Sequence, residues 1–261
     1  MDKQVKSEYI VPMLDKTLQI LDYLRQHTGY SRIAEISNEL DIPKGTVFRI
    51  LYTLSLANFV TKDKEDRYSL GVAFINYGST LKNEWDILTL TRPLMEEAAK
   101  EIGETINIGI ATENKDIIIL DSIAGEDFFI ARHLIPVTPM YCSSIGKIFL
   151  SQMGEEELED YLENQEFVPK TISTITSKEG LLKELEEVRE KNLAFDREEY
   201  TYGLTCVGSG VFVNDKLQVG ISITGPTTRL EHKGMKRIEE RVQSLAKEIE
   251  EVPGLGNLLV F

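Results

Sequence analysis

Cysteine is scarce in this sequence of 261 residues: Cys142 and Cys206 are the only two, they form no C-x-x-C pair, and with three scattered histidines they make neither a zinc signature nor a disulfide framework. Reduced thiols and no bound metal are the expectation. Long apolar runs are missing too. The longest, such as Ile117 to Leu120, hold a handful of residues, against the ~20 that a bilayer-spanning helix needs, so no membrane partner is expected. The N-terminus, Met1 to Lys6, has charges but no apolar segment behind them of the kind a secretion signal requires, and the expected location is the cytoplasm. There is no glycine-rich phosphate loop, and His133 and His232 stand in no recognisable relation to Cys206, so casting Cys206 and Asp196 as a nucleophile and its partner finds little support. Neither catalysis nor a cofactor is expected.

A surplus of positive charge is also lacking, since 29 Lys and Arg face 43 Asp and Glu. The distribution matters more than the sum. Residues 1–80 carry ten basic and ten acidic side chains, whereas residues 81–261 carry 19 and 33, so all the excess acid lies in the second part. That asymmetry suits a first domain that approaches a polyanion and a second held away from it, although an acidic soluble enzyme would show it too. The length itself points to two domains.

What is present begins with three short helices. Leu14, Leu18, Leu21 and Leu24 have the spacing of one buried face, and His27-Thr28-Gly29 ends that helix. Ser31 can cap a second helix with Ile33, Ile36 and Leu40 inside. Asp41-Ile42-Pro43 breaks the chain, and Pro43 suits the first turn of a third helix, in which Val47, Ile50, Leu51 and Leu54 point inward. Phe59 to Thr61 and Arg67 to Leu70 then read as strands around a polar turn, which makes a winged helix-turn-helix over residues 1–71. Residues 72–86 read as a linker helix with Val72, Ala73, Ile75 and Leu81 available for packing, and a longer amphipathic helix runs from Ile87 to Glu101.

From Thr105 the pattern changes to β-rich runs at Thr105 to Ala111, Asp116 to Ile123 and Phe128 to Leu134. Helical patterns follow at 144–152, 155–163 and 178–192, then strands near 194–199, 206–213 and 217–224, the last two joined at Asn214-Asp215, and a closing helix at about 233–250. That order implies an α+β domain around an antiparallel sheet, over residues 87–261.

With its apolar side buried, the third helix presents Gly45, Arg49, Tyr52 and Thr53 outward, with Lys44 and Thr46 at its leading edge. Arg49 has the fork geometry that reads guanine, Thr46 can meet a phosphate or a thymine methyl, and Lys44 adds charge at a helix start. Gly45 allows close approach of the backbone. Lys62, Lys64 and Arg67 of the wing offer phosphate or minor-groove contacts, and Ser31 and Arg32 complete the set expected to face double-stranded DNA. The alternative is an ordinary helical subdomain with a solvated outer face.

The segments Asp41-Ile-Pro-Lys-Gly-Thr-Val-Phe-Arg-Ile-Leu-Tyr-Thr-Leu and Arg67-Tyr-Ser-Leu-Gly71 resemble the recognition helix and wing of the IclR family of bacterial transcription regulators. So do Gly103-Glu-Thr105, Ser143-Ser-Ile-Gly-Lys147, Phe195-Asp-Arg-Glu-Glu199 with Gly203-Leu-Thr-Cys206, and Ile221-Ser-Ile-Thr-Gly-Pro226, in the same order over about residues 12 to 250. Gly45 departs from the serine common in that family. The resemblance implies a GAF-like effector-binding domain for a small organic acid, lined by Ser143, Ser144, Ile145, Asp196, Leu204, Cys206, Ser222 and Thr224. Such regulators often act on an adjacent catabolic operon; the sequence does not decide between repression and activation, and a repressor is the default expectation with an activator as the alternative.

The residues themselves agree in part. Ser143-Ser144 opens an apparent helix whose amides and hydroxyls suit a carboxylate, with Lys147 one turn on to add charge, although either serine would also serve as a plain helix cap and Lys147 would also suit a solvent-facing position. Asp196 would repel a carboxylate but accept from a ligand hydroxyl. Ser222 and Thr224 alternate with Ile221 and Ile223, so the hydroxyls share one strand face. A single small helix-turn-helix has little contact surface, so a dimer through Val72 to Leu81, or a tetramer, is expected. A DNA-binding protein that senses nothing is the remaining alternative, and the size of the second domain speaks against it.

Overall fold

A computed structural model describes residues 10–27, 29–84, 86–125 and 137–253. The chain divides into two compact units, residues 1–84 and 85–261.

In the first unit α1 (Pro12–Gln26) is followed by β1 (Ser31–Arg32), α2 (Ile33–Glu39), α3 (Lys44–Leu56), β2 (Val60–Lys62), β3 (Arg67–Leu70) and α4 (Ala73–Glu84). The helices enclose one core with Ile20, Leu24, Ile36, Val47 and Leu51 at its centre. The wing is a three-stranded antiparallel sheet in the order β1-β3-β2. Asp63 shapes its turn, accepting from the amides of Glu65 and Arg67, each at 2.9 Å.

Two expectations are corrected here. Ser31 does not cap α2; it is buried in β1 opposite Tyr68. The turn is held from the other direction, by the Glu35 carboxylate accepting from the Arg32 amide at 2.7 Å. Helix α1 does not bury one leucine stripe. Leu14 and Leu18 are exposed while Ile20, Tyr23 and Leu24 are buried, because α1 has apolar residues on two faces and only one lies against β3. Pro43 is the N-cap of α3, one position before the helix proper. Of the linker positions, Ala73 is buried, Val72 and Ile75 are exposed, and the Leu81 side chain lies outside the described residues.

The second unit runs α5 (Asp86–Ile102), β4 (Thr105–Ala111), β5 (Asp116–Ile123), β6 (Val137–Pro139), a single 3-10 turn at Met140–Cys142, α6 (Ser144–Gln152), α7 (Glu155–Asn164), α8 (Lys178–Lys191), β7 (Ala194–Arg197), β8 (Leu204–Val213), β9 (Lys216–Pro226), α9 (Thr227–Lys233) and α10 (Met235–Glu250). The six strands form one antiparallel sheet in the order β6-β5-β4-β9-β8-β7. Strand alternation sorts its two faces. Ile106, Ile108, Val207, Ile221 and Ile223 pack with α5 and α10 into the main core, and α6 covers the opposite face.

β6 was not anticipated, and the strand expected at Phe128 to Leu134 lies outside the described residues. The closing helix α10 falls where expected, but the short α9 before it was not anticipated; the two are separated at Gly234, whose φ of +93° leaves the helical region. Asn214 and Asp215 both take positive φ, 51° and 60°, as a two-residue hairpin with the sheet's right-handed twist requires.

Candidate functional site

The outer face of α3 follows from what its inner face buries. Val47, Ile50 and Leu51 are in the core and Leu54 is half-buried, which leaves Lys44, Gly45, Arg49, Tyr52 and Thr53 exposed and Thr46 partly so. Among the described residues neither Lys44 nor Arg49 makes an ion pair, so both charges are available to a partner. The wing differs. Lys62 pairs with Asp66 at 2.6 Å, and Arg67 with Asp63 at 2.7 Å and Glu65 at 3.4 Å, so these cations are partly neutralised at home while Lys64 is exposed. Arg32 is exposed beside them, and Ser31 is buried under them. Gly45 answers no internal demand, since a Cβ built there would meet nothing within 4 Å.

In the second unit the sheet face under α6 carries a polar patch. Asp196 pairs with Cys206, Cys206 with Thr224 and Thr224 with Thr105, forming one row across four strands. Gly208, Ser222, Asn107 and Ser122 form the next. Asn107 joins the rows: its amide donates to Thr224 Oγ1 at 3.0 Å and Ser222 Oγ at 3.3 Å, and its carbonyl accepts from Ser122. Thr224 in turn donates to Cys206 Sγ at 3.2 Å. Leu204 stands half-buried on the same face, two residues before Cys206.

Helix α6 sits directly on this face because the sheet offers glycine where it lands. A Cβ at Gly208 would lie 3.0 Å from Ser144 Oγ, and one at Gly220 only 2.5 Å from the Ile145 side chain. Ser143 caps the helix, its hydroxyl accepting from the Gly146 amide at 3.0 Å. Ser144 is buried, points at the patch, and makes no side-chain hydrogen bond among the described residues.

Lys147 is fully buried, but its ammonium is already held. It donates to Glu199 Oε1 at 2.6 Å, the Phe195 carbonyl at 2.8 Å and Glu184 Oε1 at 3.2 Å. It therefore adds no free charge for an anion, contrary to the expectation above. Asp196 Oδ1 accepts from the amides of Glu199 and Tyr200 at 2.7 and 3.3 Å. Burial, with the neighbouring Glu199 carboxylate adding to it, nevertheless raises the Asp196 pKa to about 7. Burial also lifts Glu199, whose second oxygen is buried without a partner among the described residues. Both thiols are pushed up chiefly by burial, Cys142 to about 12 and Cys206 well above its ordinary value, so each remains protonated and unreactive at neutral pH.

The structure thus gathers Ser144, Ile145, Asp196, Leu204, Cys206, Ser222 and Thr224 around one place. It adds three residues that sequence reasoning missed: Asn107, Ser122 and Glu199. For Asn107 a signal was available, since Thr105, Asn107 and Gly109 alternate with Ile106 and Ile108 as Ser222 and Thr224 do with their isoleucines. No group of three or more potential metal ligands occurs, and no helix is long and apolar enough to cross a membrane, among the described residues.

A winged helix-turn-helix with a bare basic outer face, joined in one chain to an α+β domain with a sheltered polar patch, is the architecture of a DNA-binding transcription regulator. The comparisons identify which kind. The IclR helix-turn-helix domain family matches residues 13–64, and the family described as bacterial transcriptional regulator IclR C-terminal matches residues 79–251. The chain belongs to the IclR family. It is 32% identical over 244 residues to the HTH-type transcriptional repressor AllR of Salmonella typhimurium, covering 93% of this chain and 90% of that one. The corresponding AllR of Escherichia coli is 31% identical over 247 residues, with the same coverage. The crystal structure of the IclR regulator from Alicyclobacillus acidocaldarius matches with a TM-score of 0.82 at 25% identity, over 94% of this chain and all of that one. The fold is shared by an IclR homologue from Microbacterium hydrocarbonoxydans complexed with 4-hydroxybenzoate, at TM-score 0.77 and 15% identity, over 91% of this chain and 97% of that one. This protein is a ligand-responsive DNA-binding repressor.

Proposed function

We propose that the protein acts in the cytoplasm as a dimer or a pair of dimers, with residues 1–71 holding operator DNA, 72–86 linking, and 87–261 sensing a small organic acid. Occupation of the sensor changes operator affinity and so transcription of a catabolic operon. In this reading Arg49 contacts base edges, Lys44 and Lys64 contact phosphates, and α4 supplies the shared surface between subunits. Exposed Val72, Ile75 and Tyr77 on and beside α4 support that last assignment.

The observation that carries the sensing assignment is Ser144 at the start of α6, a buried residue whose hydroxyl makes no hydrogen bond among the described residues and lies against Gly208, the strand partner of Ser222. A helix N-terminus offers backbone N–H groups to a carboxylate, and the hydroxyls and amide below it suit an oxygen-bearing tail. Protonated Asp196 can donate to the ligand, and ionised it can accept from a ligand hydroxyl. The 4-hydroxybenzoate complex of the Microbacterium fold neighbour supports the general class of ligand.

The test is thermal stabilisation by a panel of small hydroxy, keto and aromatic acids, followed by operator titration with and without the compound that binds. A true effector raises the melting temperature and shifts operator affinity by about 1–3 kcal/mol. Ser222→Ala blunts that response while leaving ligand-free DNA binding intact. A full response from the variant would remove Ser222 from the site.

A further inference from the structure

The outward face of α3 carries two aromatic rings as well as cations. Phe48 and Tyr52 lie one turn apart with ring centroids 6.2 Å apart and planes inclined by 25°, and they are 49% and 56% exposed. Fold stability does not account for Phe48. The inner face is complete with Val47, Ile50 and Leu51, and a ring left half in water forgoes much of the gain that burial provides. Its surroundings are polar and basic: Lys44 precedes it by one turn, and Arg49 follows on the same exposed side with no ion pair among the described residues.

A half-exposed ring among free cations matches one partner in particular. The cations answer the phosphates and polar base edges, and the ring needs an apolar group set among polar ones. The major-groove edges of DNA offer one such group, the C5-methyl of thymine. We infer that Phe48 is a specificity-determining residue that packs against a thymine methyl in the operator, with Tyr52 stacked behind it as a positioning residue. This inference rests on the reading of α3 as the helix that enters the groove.

The experiment uses the full chain and an operator enriched from random duplexes. Each thymine of the enriched site is replaced singly by uracil, which removes only the methyl group, and binding is measured for the wild type and for Phe48→Ala and Phe48→Leu. One thymine in each half-site should lose affinity about fourfold on replacement in the wild type, the value of one buried methyl-sized group. Phe48→Ala should bind the thymine and uracil forms equally, and Phe48→Leu, which keeps an apolar surface, should retain part of the discrimination. The inference is overturned if every uracil site binds wild type as tightly as its thymine parent, or if Phe48→Ala discriminates as fully as wild type. Failure to enrich any site would instead overturn the groove reading of α3. An enriched site that depends on Arg49 but on no thymine would sink the Phe48 assignment alone.

Discussion

On the outer face of α3 the cations Lys44 and Arg49 bond nothing within the described chain, whereas on the sheet face of the second unit the polar groups already bond one another. Asn107, Ser122, Ser222, Thr224 and Cys206 form a linked set, and Lys147 and Asp196 are tied into the turn after β7. The first surface is complete and waits for a partner. In the second, a ligand must exchange bonds with groups that also hold the fold, which makes each of them structural and functional at once. Removing a side chain from the outer face of α3 should therefore cost binding and no stability, and removing one from the sensor face should cost stability as well.

The sharpest test of that contrast is Lys147→Met. Taking one partner from a buried ion pair leaves carboxylates uncompensated and costs about 3–5 kcal/mol. Glu199, with only 5% of its side chain exposed, would be the group stranded. Urea unfolding should show the loss, and a second change, Glu199→Gln, should recover much of it. Equal stability of Lys147→Met and wild type would break the comparison outright.

Arg49→Ala sits on the other side. Operator affinity should fall by about 1–3 kcal/mol, with preference relaxed at one base pair, while the urea midpoint stays within error of wild type. A midpoint that fell with the affinity would mean that Arg49 supports the fold and is no different in kind from Lys147.

Asp196 gives a pH signature. Its folded pKa of about 7 lies above the ~3.9 expected of an unfolded aspartate, so the folded state binds more protons between those values and its stability falls as pH rises through that window. Asp196→Asn removes this contribution. The variant's stability should be flatter in pH by at most about 1.4 kcal/mol per unit. An unchanged slope would transfer the effect to Glu199, which burial shifts in the same direction.

The smallest effect should come from Gly45→Ala. Open space around the position means that the helix gains about 0.5–1 kcal/mol from a better helix former. Operator affinity should fall none the less, because the added methyl stands between backbone and DNA. The two signs opposed in one variant would separate stability from reading more cleanly than any loss could.

The same contrast explains what was legible in the sequence. The inner positions of α3, Val47, Ile50 and Leu51, could be read because helical period and burial coincide there. On α1 they did not coincide. Leu14 and Leu18 have the period of a core face, yet Ile20 and Tyr23 are the residues buried in the core, and a lone helix with two apolar stripes does not say which neighbour it will find. β1 is two residues long and has no period to detect. In the sensor the alternation of Ser222 and Thr224 was readable, but the bond from Lys147 to Glu199 joins residues 52 positions apart. Such pairing is a property of the assembled domain, which is why Lys147 looked like a free cation until its carboxylates were in view.

The strand order has a consequence for how the protein comes into being. β4 lies next to β9, so Asn107 meets Ser222 only after the chain between them has been made and folded away. Pairings of such long sequence separation form late and slowly, while local helical contacts form early. The first unit draws its core from residues 20 to 68. On the ribosome, where domains fold in order of synthesis, the reading head would be finished while the sensor still lacked the strand that carries two of its hydroxyls. A newly made chain would thus be competent to hold DNA before it could be told to let go.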